Sequence, residues 1–290
     1  MKDLNFDLKH LVKHNKQGSY ATQSARHSIL QQCANQLYEM GYGLPKASSI
    51  KPKHIEALVE HWSDNHLNVG TIKNRLSHLR WWARQVGKLP VMRKDNIKYG
   101  IGSRESFKGH RAFCLSEEVL ERVSDLRTRL ALQLAETFGL RREEALKLRP
   151  FEADKGDCIR LKASWTKGGR ERDVPLTSPK QRELLNALKA VVGKNCLIES
   201  GKTYVQQMRV YNKEVRKAGL SNPHGLRHQY AQGRYMELTG GMKPPVCGGT
   251  KRMDMTEDQR KLDIAARLLV SKELGHNRLE ITNVYLGGAR

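Results

Sequence analysis

The chain has 290 residues, of which 38% are hydrophobic and 28% are charged, a composition typical of folded rather than disordered proteins. At about 150 residues per domain, this length predicts roughly two domains. The mean hydropathy is −0.65, no stretch approaches the roughly 18 apolar residues of a membrane span, and the N-terminus lacks the apolar core of a signal peptide. We therefore expect a cytoplasmic protein that neither spans a membrane nor is secreted.

The net charge restricts the partner more than any other property of the composition. Lys and Arg number 52 against 30 Asp and Glu, a formal charge of +22, and proteins this basic usually bind a polyanion. Residues 1–100 contain 16 Lys and Arg and 7 Asp and Glu, so both parts of the chain are basic. Nucleic acid is the first candidate partner, and an anionic membrane surface is the second. The alternative is that the protein simply has a basic, well-solvated surface and binds no polyanion.

The cysteines do not form a recognisable ligand or disulfide pattern. There are five, widely spaced and without a Cys-x-x-Cys pair, at Cys33, Cys114, Cys158, Cys196 and Cys247. The odd number and the spacing argue against a disulfide framework and against a zinc ribbon. We expect them to be reduced, and most of them to be small core residues.

Residues 1–98 have a helical pattern. Apolar residues at helical spacing predict helices over about 20–40, 52–66 and 70–86. The last of these has a second stripe, formed by Lys73, Ser77, Arg80 and Arg84, that has no acidic partner at i,i+4. Such a stripe is either a solvated face or a surface for DNA phosphates, and we predict Lys73, Arg80 and Arg84 as DNA-binding residues.

The pattern changes after residue 99. Residues 100–112 have glycines and little periodicity, which predicts a linker. Ser116 is a plausible N-cap for the next helix. Two strand patterns, over residues 158–163 and 172–176, flank a turn at Gly168-Gly169 and predict a small hairpin. Helices are expected at about 130–138, 141–148, 179–192, 203–218, 224–238, 256–274 and 279–286, with a glycine-rich loop over 239–255.

Two motifs in this second part place a cation beside a glycine. In Gly139-Leu140-Arg141-Arg142-Glu143-Glu144, an arginine follows a glycine break, and Glu144 three residues later can fix its geometry. Arg141 is then either a structural ion-pair residue or an anion clamp. Lys167 lies in the turn between the two predicted strands, where a lysine is either solvated or carried into a groove.

Two further motifs contain histidines. In His224-Gly225-Leu226-Arg227-His228, the imidazole of His224 and the guanidinium of Arg227 share a helical face and can converge on one phosphate. His224 and His228 have the i,i+4 spacing of metal ligands, but no Cys or His set nearby completes a site, so we expect no metal. His276 follows Leu274-Gly275, and Tyr285 comes nine residues after it; alone, a tyrosine there is normally a packing residue.

Taken together and in this order, the four motifs resemble the catalytic domain of the tyrosine recombinases, the phage integrase family. The matching segments are Gly-Leu-Arg-x-x-Glu, the hairpin lysine, His-x-Leu-Arg, Leu-Gly-His and Ile-Thr-x-x-Tyr-Leu. The positions that carry the resemblance are Arg141, Lys167, His224, Arg227, His276 and Tyr285. The resemblance covers about residues 113–286, and residues 1–99 are similar to the core-binding domain of the family in position and composition.

The resemblance implies a fold, an organisation and a partner. The fold is mainly α with a small antiparallel β-sheet: a helical core-binding domain at 1–99, a linker at 100–112 and an α+β catalytic domain at 113–290. It further implies a site-specific recombinase from a mobile element that acts on double-stranded DNA, with a homo-tetramer on paired sites and, where needed, DNA-bending accessory proteins. No cofactor, metal or membrane contact is expected.

The resemblance also implies a role for each matching residue. Tyr285 is the nucleophile that forms a 3′-phosphotyrosyl link, His224 accepts its proton, and Lys167 protonates the departing 5′-oxygen. Arg141, Arg227 and His276 neutralise the phosphate charge in the transition state, and Glu144 supports Arg141. The link conserves bond energy, so the reaction needs no ATP.

Two departures from the family pattern stand out. His224 lies 52 positions before His276, about twice the separation expected from relatives, so we interpret about 240–258 as an insertion that contacts DNA, contacts protein or is a surface loop. Five residues follow Tyr285, whereas many relatives use a C-terminal segment to dock on a neighbouring subunit. That contact is then absent or made by another segment, and the insertion is a candidate.

Other interpretations remain open at this level. A type IB topoisomerase shares the chemistry and differs in relaxing DNA without exchanging partners. A DNA-binding regulator of the same fold would bind without cutting. An RNA-binding or membrane-surface protein explains the charge but not the order of the motifs.

Overall fold

The computed structural model describes residues 3–103, 109–276 and 279–288, with the side chain of residue 279 left out. The chain divides into two compact units, residues 1–105 and 106–290. Residues 104–108, in the predicted linker, lie outside the described part, as do residues 277 and 278 of the motif around His276. Within the described residues, no helix is both long enough and apolar enough to cross a membrane.

The first unit is a small helical domain. Its helices are α1 (Asp3–His14), α2 (Tyr20–Glu39), α3 (Pro52–Asp64) and α4 (Val69–Gln85). Ser19 caps α2 by accepting a hydrogen bond from the backbone N–H of Thr22. Trp62 and Trp82 are fully buried between the helices, and the indole of Trp82 donates a hydrogen bond to the carbonyl of Ala47 at 3.0 Å. The helical pattern expected over residues 1–98 is thus confirmed.

The second unit combines nine described helices with one β-hairpin. The elements are α5 (Glu117–Arg122), α6 (Leu126–Phe138), α7 (Arg142–Lys147), α8 (Pro150–Ala153), β1 (Cys158–Leu161), β2 (Arg172–Pro175), α9 (Pro179–Val192), α10 (Tyr204–Lys217), α11 (Gly225–Leu238), α12 (Glu257–Glu273) and α13 (Leu279–Leu286). The strands pair antiparallel, with Cys158 opposite Pro175 and Leu161 opposite Arg172. The predicted mainly α fold with a small antiparallel sheet is confirmed.

The core of the second unit forms around α6. This helix packs against α7, α9, α10 and α11, and α11 packs in turn against α12 and α13. Apolar residues of α6, among them Leu130, Leu134 and Phe138, are buried, and Ser116 caps α5 as predicted. This packing brings the ends of α6, α11, α12 and α13 to one region of the unit.

The expectation about the cysteines is partly wrong. All five are free thiols, but only Cys33 is buried, while Cys114 is exposed and the other three are half-buried. The reason is that a cysteine in a mixed helical and loop sequence shows no periodicity of its own, so residue type alone was a poor guide to burial.

Candidate functional site

The hydroxyl of Tyr285 lies in a polar cluster. Tyr285 is on the last turn of α13 and is 4% exposed. Its hydroxyl oxygen lies 3.2 Å from Arg227 Nε and 3.4 Å from His224 Nε2, and its ring centroid is 4.5 Å from that of His228. The hydroxyl can therefore accept a hydrogen bond from the guanidinium and donate one to the imidazole.

Arg227, on the first turn of α11, connects three chain segments. It is fully buried, and its Nη atoms donate hydrogen bonds to the carbonyls of Gly139 and Leu274, the C-cap residues of α6 and α12. Cations stabilise the negative ends of helices at such positions. Nη2 also lies 3.3 Å from His276 Nε2. Burial lowers the pKa of Arg227 to about 10, which still leaves it charged at neutral pH.

Glu144 is the buried anion of the cluster. It is 0% exposed and accepts hydrogen bonds from Arg141 Nη1 at 2.7 Å and from Arg141 N at 2.8 Å. Arg172, on β2, donates to both of its carboxylate oxygens, at 3.1 and 2.7 Å. Burial alone would raise the pKa of Glu144, but the hydrogen bond and charge of Arg172, with the charges of Arg141 and Arg227, outweigh it and lower the pKa to about 2.

The histidines of the cluster are neutral at physiological pH. Burial, followed by the charges of Arg227, Arg141 and Arg172, lowers the pKa of His276 to about 3. Partial burial and the charges of Arg227 and Arg141 lower the pKa of His224 to about 4. Since a neutral imidazole has a free lone pair, His224 can accept a proton from the hydroxyl beside it.

A cleft of about 420 Å³ opens beside this cluster. Arg141, Glu144, Lys167 and His224 line it together with residues of α10 and of the turn before α11. Lys167 is exposed and lies in the connection between β1 and β2, which is longer than the tight turn expected, because residues 163–165 form a turn of 3-10 helix there. The cleft is therefore lined by three cations, Arg141, Arg142 and Lys167, and by two carboxylates, Glu143 and Glu144, and it reaches the imidazole of His224, which contacts Tyr285.

The six residues singled out from the sequence thus lie in one region. Arg141, Lys167 and His224 line the cleft, and contacts lead from His224 to Tyr285, from Tyr285 to Arg227 and from Arg227 to His276. Glu144 contacts Arg141 as expected. No group of three or more His, Cys, Asp or Glu side chains has a metal-binding arrangement among the residues that the structure describes.

The basic stripe of the first unit lies on α4. Lys73 is half-buried and Arg84 is exposed. Arg80 is half-buried and donates a hydrogen bond from Nη2 to Asn96 Oδ1 at 2.7 Å. That bond uses one of the donor groups that Arg80 could otherwise offer to a DNA phosphate. The assignment of these three residues to DNA binding remains a prediction.

Sequence reasoning missed two residues of the site. Arg172 was interpreted only as part of a strand, yet its side chain is 7% exposed and it shares a strand face with the buried Val174. The available signal was the spacing of two residues between Arg172 and the apolar Val174, which places both side chains on the same, inward face of β2. His228 was considered only as a metal ligand, whereas its buried ring packs against Tyr285; no sequence signal distinguishes these uses.

Comparisons with known proteins agree with this architecture. Residues 1–92 match the family described as phage integrase, N-terminal, and residues 103–233 match the family described as integrase. A comparison with curated protein sequences finds no match.

Several solved structures have a similar fold. A lambda integrase dimer bound to a COC′ core site is 16% identical with a TM-score of 0.63, covering 99% of this chain and 96% of that one. The Tn1549 transposon integrase in complex with transposon right end DNA is 13% identical with a TM-score of 0.59, covering 99% and 95%. The XerH site-specific recombinase bound to a palindromic difH substrate is 17% identical with a TM-score of 0.58, covering 97% and 80%.

Proposed function

Because the chain belongs to the tyrosine recombinase, or phage integrase, family, we propose that it is a site-specific DNA recombinase that cuts and rejoins double-stranded DNA through a 3′-phosphotyrosyl intermediate. The observation that carries the proposal is the position of the Tyr285 hydroxyl, within hydrogen-bond distance of both a buried guanidinium and a neutral imidazole. A protonated phenol is a weak nucleophile, so it needs a neighbouring base and a positive charge to attack phosphorus.

In the proposed reaction, the Tyr285 oxygen attacks the scissile phosphorus and its proton passes to His224. The bond from phosphorus to the 5′-oxygen breaks, and Lys167 protonates that oxygen, which leaves a free 5′-hydroxyl. Arg141, Arg227 and His276 donate hydrogen bonds to the phosphate oxygens as charge builds on them. The cleft supports this assignment, because a backbone phosphate there meets the positive charges of Arg141, Arg142 and Lys167 beside the neutral imidazole of His224.

The buried state of Tyr285 adds a step to the proposal. Its hydroxyl accepts the hydrogen bond of Arg227 Nε, and this guanidinium is the group proposed to bind phosphate. An arriving phosphate oxygen therefore has to displace the hydroxyl, and the same displacement frees the phenol for attack. Of the groups around it, Arg141 is 22% exposed and faces the cleft, so we assign it the first contact with the phosphate.

The rest of the reaction follows from chemistry. The phosphotyrosyl link conserves the energy of the phosphodiester, so a 5′-hydroxyl of a second duplex can attack it without ATP, and the charge neutralisation by arginines requires no metal. The proposed partners are double-stranded DNA and, for exchange, four copies of the chain on paired sites, with DNA-bending proteins as helpers. A tetramer on a Holliday junction has been solved for lambda integrase, with a TM-score of 0.52 to this chain.

A nicked duplex that traps the covalent intermediate tests the proposal. Wild-type protein should form a DNA adduct that survives denaturing electrophoresis, and Tyr285→Phe should bind the same duplex but form none. Tyr204→Phe, which removes a hydroxyl from a tyrosine that lines the cleft, should still form the adduct. An adduct with Tyr285→Phe would overturn the assignment of the nucleophile.

Two labelled duplexes separate the proposal from its alternatives. Exchange of strands between them is expected of a recombinase. Relaxation of supercoiled DNA without exchange indicates a type IB topoisomerase, and binding without any adduct indicates a regulator of the same fold.

A further inference from the structure

A loop in the segment interpreted as an insertion folds back onto the end of α13 (Leu279–Leu286), here called the tyrosine helix because it carries Tyr285. Residues 244–249, here called the cap loop, contain one turn of 3-10 helix at Pro245–Cys247. The loop closes on itself, since the N–H of Gly249 donates a hydrogen bond to the carbonyl of Pro244 at 3.2 Å. A Cβ on Gly249 would stand 1.7 Å from the carbonyl oxygen of Lys243, so this closed shape requires a glycine.

The cap loop packs directly on the residue that ends the tyrosine helix. Gly287, two residues after Tyr285, has a φ of +92°, and a Cβ there would stand 2.8 Å from the backbone nitrogen of Val246 and 3.1 Å from Pro245 Cβ. Glycine is therefore needed at position 287 for two independent reasons, the backbone conformation and the close approach of the loop.

A buried glutamine connects the cap loop to the backbone of Tyr285. Gln232, on α11, is 2% exposed. Its Nε2 donates a hydrogen bond to the carbonyl of Tyr285 at 3.1 Å, and its Oε1 lies 3.2 Å from Cys247 Sγ. A thiol that donates to Oε1 fixes the orientation of the amide, so that its N–H group faces the tyrosine carbonyl. Burial raises the pKa of Cys247, which keeps this thiol protonated and able to donate.

A second set of contacts holds the tyrosine helix from another side. Arg267, on α12, donates hydrogen bonds from Nη1 to the carbonyl of Gly287 and to Asn283 Oδ1, both at 3.1 Å. Because α13 is also anchored there, loss of the bond from Cys247 should not release the helix. It should instead loosen the position of the Tyr285 backbone relative to Arg227 and His224.

We propose that the cap loop is a positioning element that holds Tyr285 in register with the phosphate-binding groups of its own chain, through Cys247 and Gln232. The inference rests on the proposed function, because it assigns Tyr285 as the nucleophile. It gives the inserted segment a role within the subunit, so that a single chain holds its own tyrosine helix without help from a neighbour. Cys247 and Gln232 are positioning residues and contact no DNA in this proposal.

Single-turnover cleavage of the nicked duplex at saturating protein separates positioning from binding. Cys247→Ala leaves a buried amide oxygen without a donor, an effect large enough in proteins to change a rate by about ten-fold. We expect the first-order rate of adduct formation to fall by about that factor, with DNA affinity close to wild type and a melting temperature that is lowered by only a few degrees. Cys247→Ser keeps a donor and should restore most of the rate. Cys114→Ala, at an exposed cysteine, is the matched control.

A second variant tests the same contact from the other side. Gly287→Ala pushes the cap loop away from the helix end and should slow adduct formation as well. Wild-type rates in both Cys247→Ala and Gly287→Ala overturn the inference, as does equal slowing by the serine and alanine variants, which would exclude the hydrogen bond. Absence of an adduct in the wild-type protein would instead overturn the proposed function, on which the inference depends.

Discussion

The guanidinium of Arg172 contacts both carboxylate oxygens of Glu144, and both side chains are shielded from solvent. Arg172 also donates from Nε to the carbonyl of Glu273 at 2.7 Å, next to the residue whose carbonyl Arg227 contacts. Glu144 in turn orients Arg141 at the cleft. Arg172 thus joins the hairpin, the start of α7 and the end of α12, and acts on the cleft through Glu144.

Removal of Arg172 should destabilise the fold. Arg172→Met leaves the buried carboxylate of Glu144 with only its hydrogen bonds to Arg141, so the loss of unfolding free energy should approach but not exceed the about 3–5 kcal/mol of a fully broken buried pair. Arg160→Ala, in the exposed pair with Asp173 on the same hairpin, should cost far less, because solvent screens an exposed ion pair. Urea unfolding of both variants measures the contrast, and equal costs would contradict the special role of Arg172.

The fork geometry of Arg227, beyond its charge, should matter for cleavage. Arg227→Lys keeps a cation but cannot reach the carbonyls of Gly139 and Leu274 and the Tyr285 hydroxyl together. We expect at least a ~10²-fold loss in the rate of adduct formation, the size of effect seen when one preorganised donor is removed. Circular dichroism checks that the variant is folded, and a near-normal rate in a folded variant would show that a cation at position 227 suffices and that the fork geometry is not needed.

Stability should fall as the pH falls below neutral. Burial, followed by electrostatic repulsion from the neighbouring imidazole of His224 and from Arg111, lowers the pKa of His228 to about 4 from its usual 6.5. Between these values the unfolded chain binds a proton that the folded chain does not, so the free energy of unfolding decreases with decreasing pH, by up to about 1.4 kcal/mol per pH unit for this group.

His228→Asn should therefore make that dependence less steep, while the lowered pKa values of His224 and His276 maintain the rest of it. The measurement is urea unfolding at several pH values between 4.5 and 6.5 for the wild type and the variant. The same substitution at the exposed His10 controls for loss of an imidazole as such. A slope in His228→Asn as steep as that of the wild type would show that His228 titrates alike in both states.

Gly139 should tolerate no side chain. Its φ is +63°, and a Cβ there would stand 2.4 Å from Tyr230 Cδ1, while its carbonyl accepts a hydrogen bond from Arg227. Gly139→Ala should lose more unfolding free energy than the ~1–2 kcal/mol of a left-handed alanine. Gly219→Ala, with φ +78° and open space around the added Cβ, isolates the backbone contribution, and similar losses at both glycines would refute the clash.

Much of the secondary structure was readable because local chemistry determines it. The bounds of α9 and α13 match the expected helices, and Ser116 caps α5 as its residue type predicts. The turn with Lys167 was placed correctly, but its length was underestimated, because a short 3-10 turn there has no periodicity to detect. The cysteines were misjudged because burial depends on neighbours that are remote in the sequence.

In the site, too, residue type was predictable from the sequence whereas contacts between distant segments were not. The residue types and their order indicated which side chains belong together, and they do lie together. The hydrogen bond that Arg227 donates to the hydroxyl of Tyr285 had no sequence signal, since α13 and α11 meet only through packing. The same is true of the contact between Cys247 and Gln232.

Residue type and short-range spacing were enough to establish the charge of the protein, its helices, its hairpin and the chemical groups available to a phosphate. Folding established which of those groups are exposed, which carboxylate neutralises which arginine, and what holds α13. Those outcomes depend on distances between segments far apart in the chain, and burial and ion pairing act through such distances.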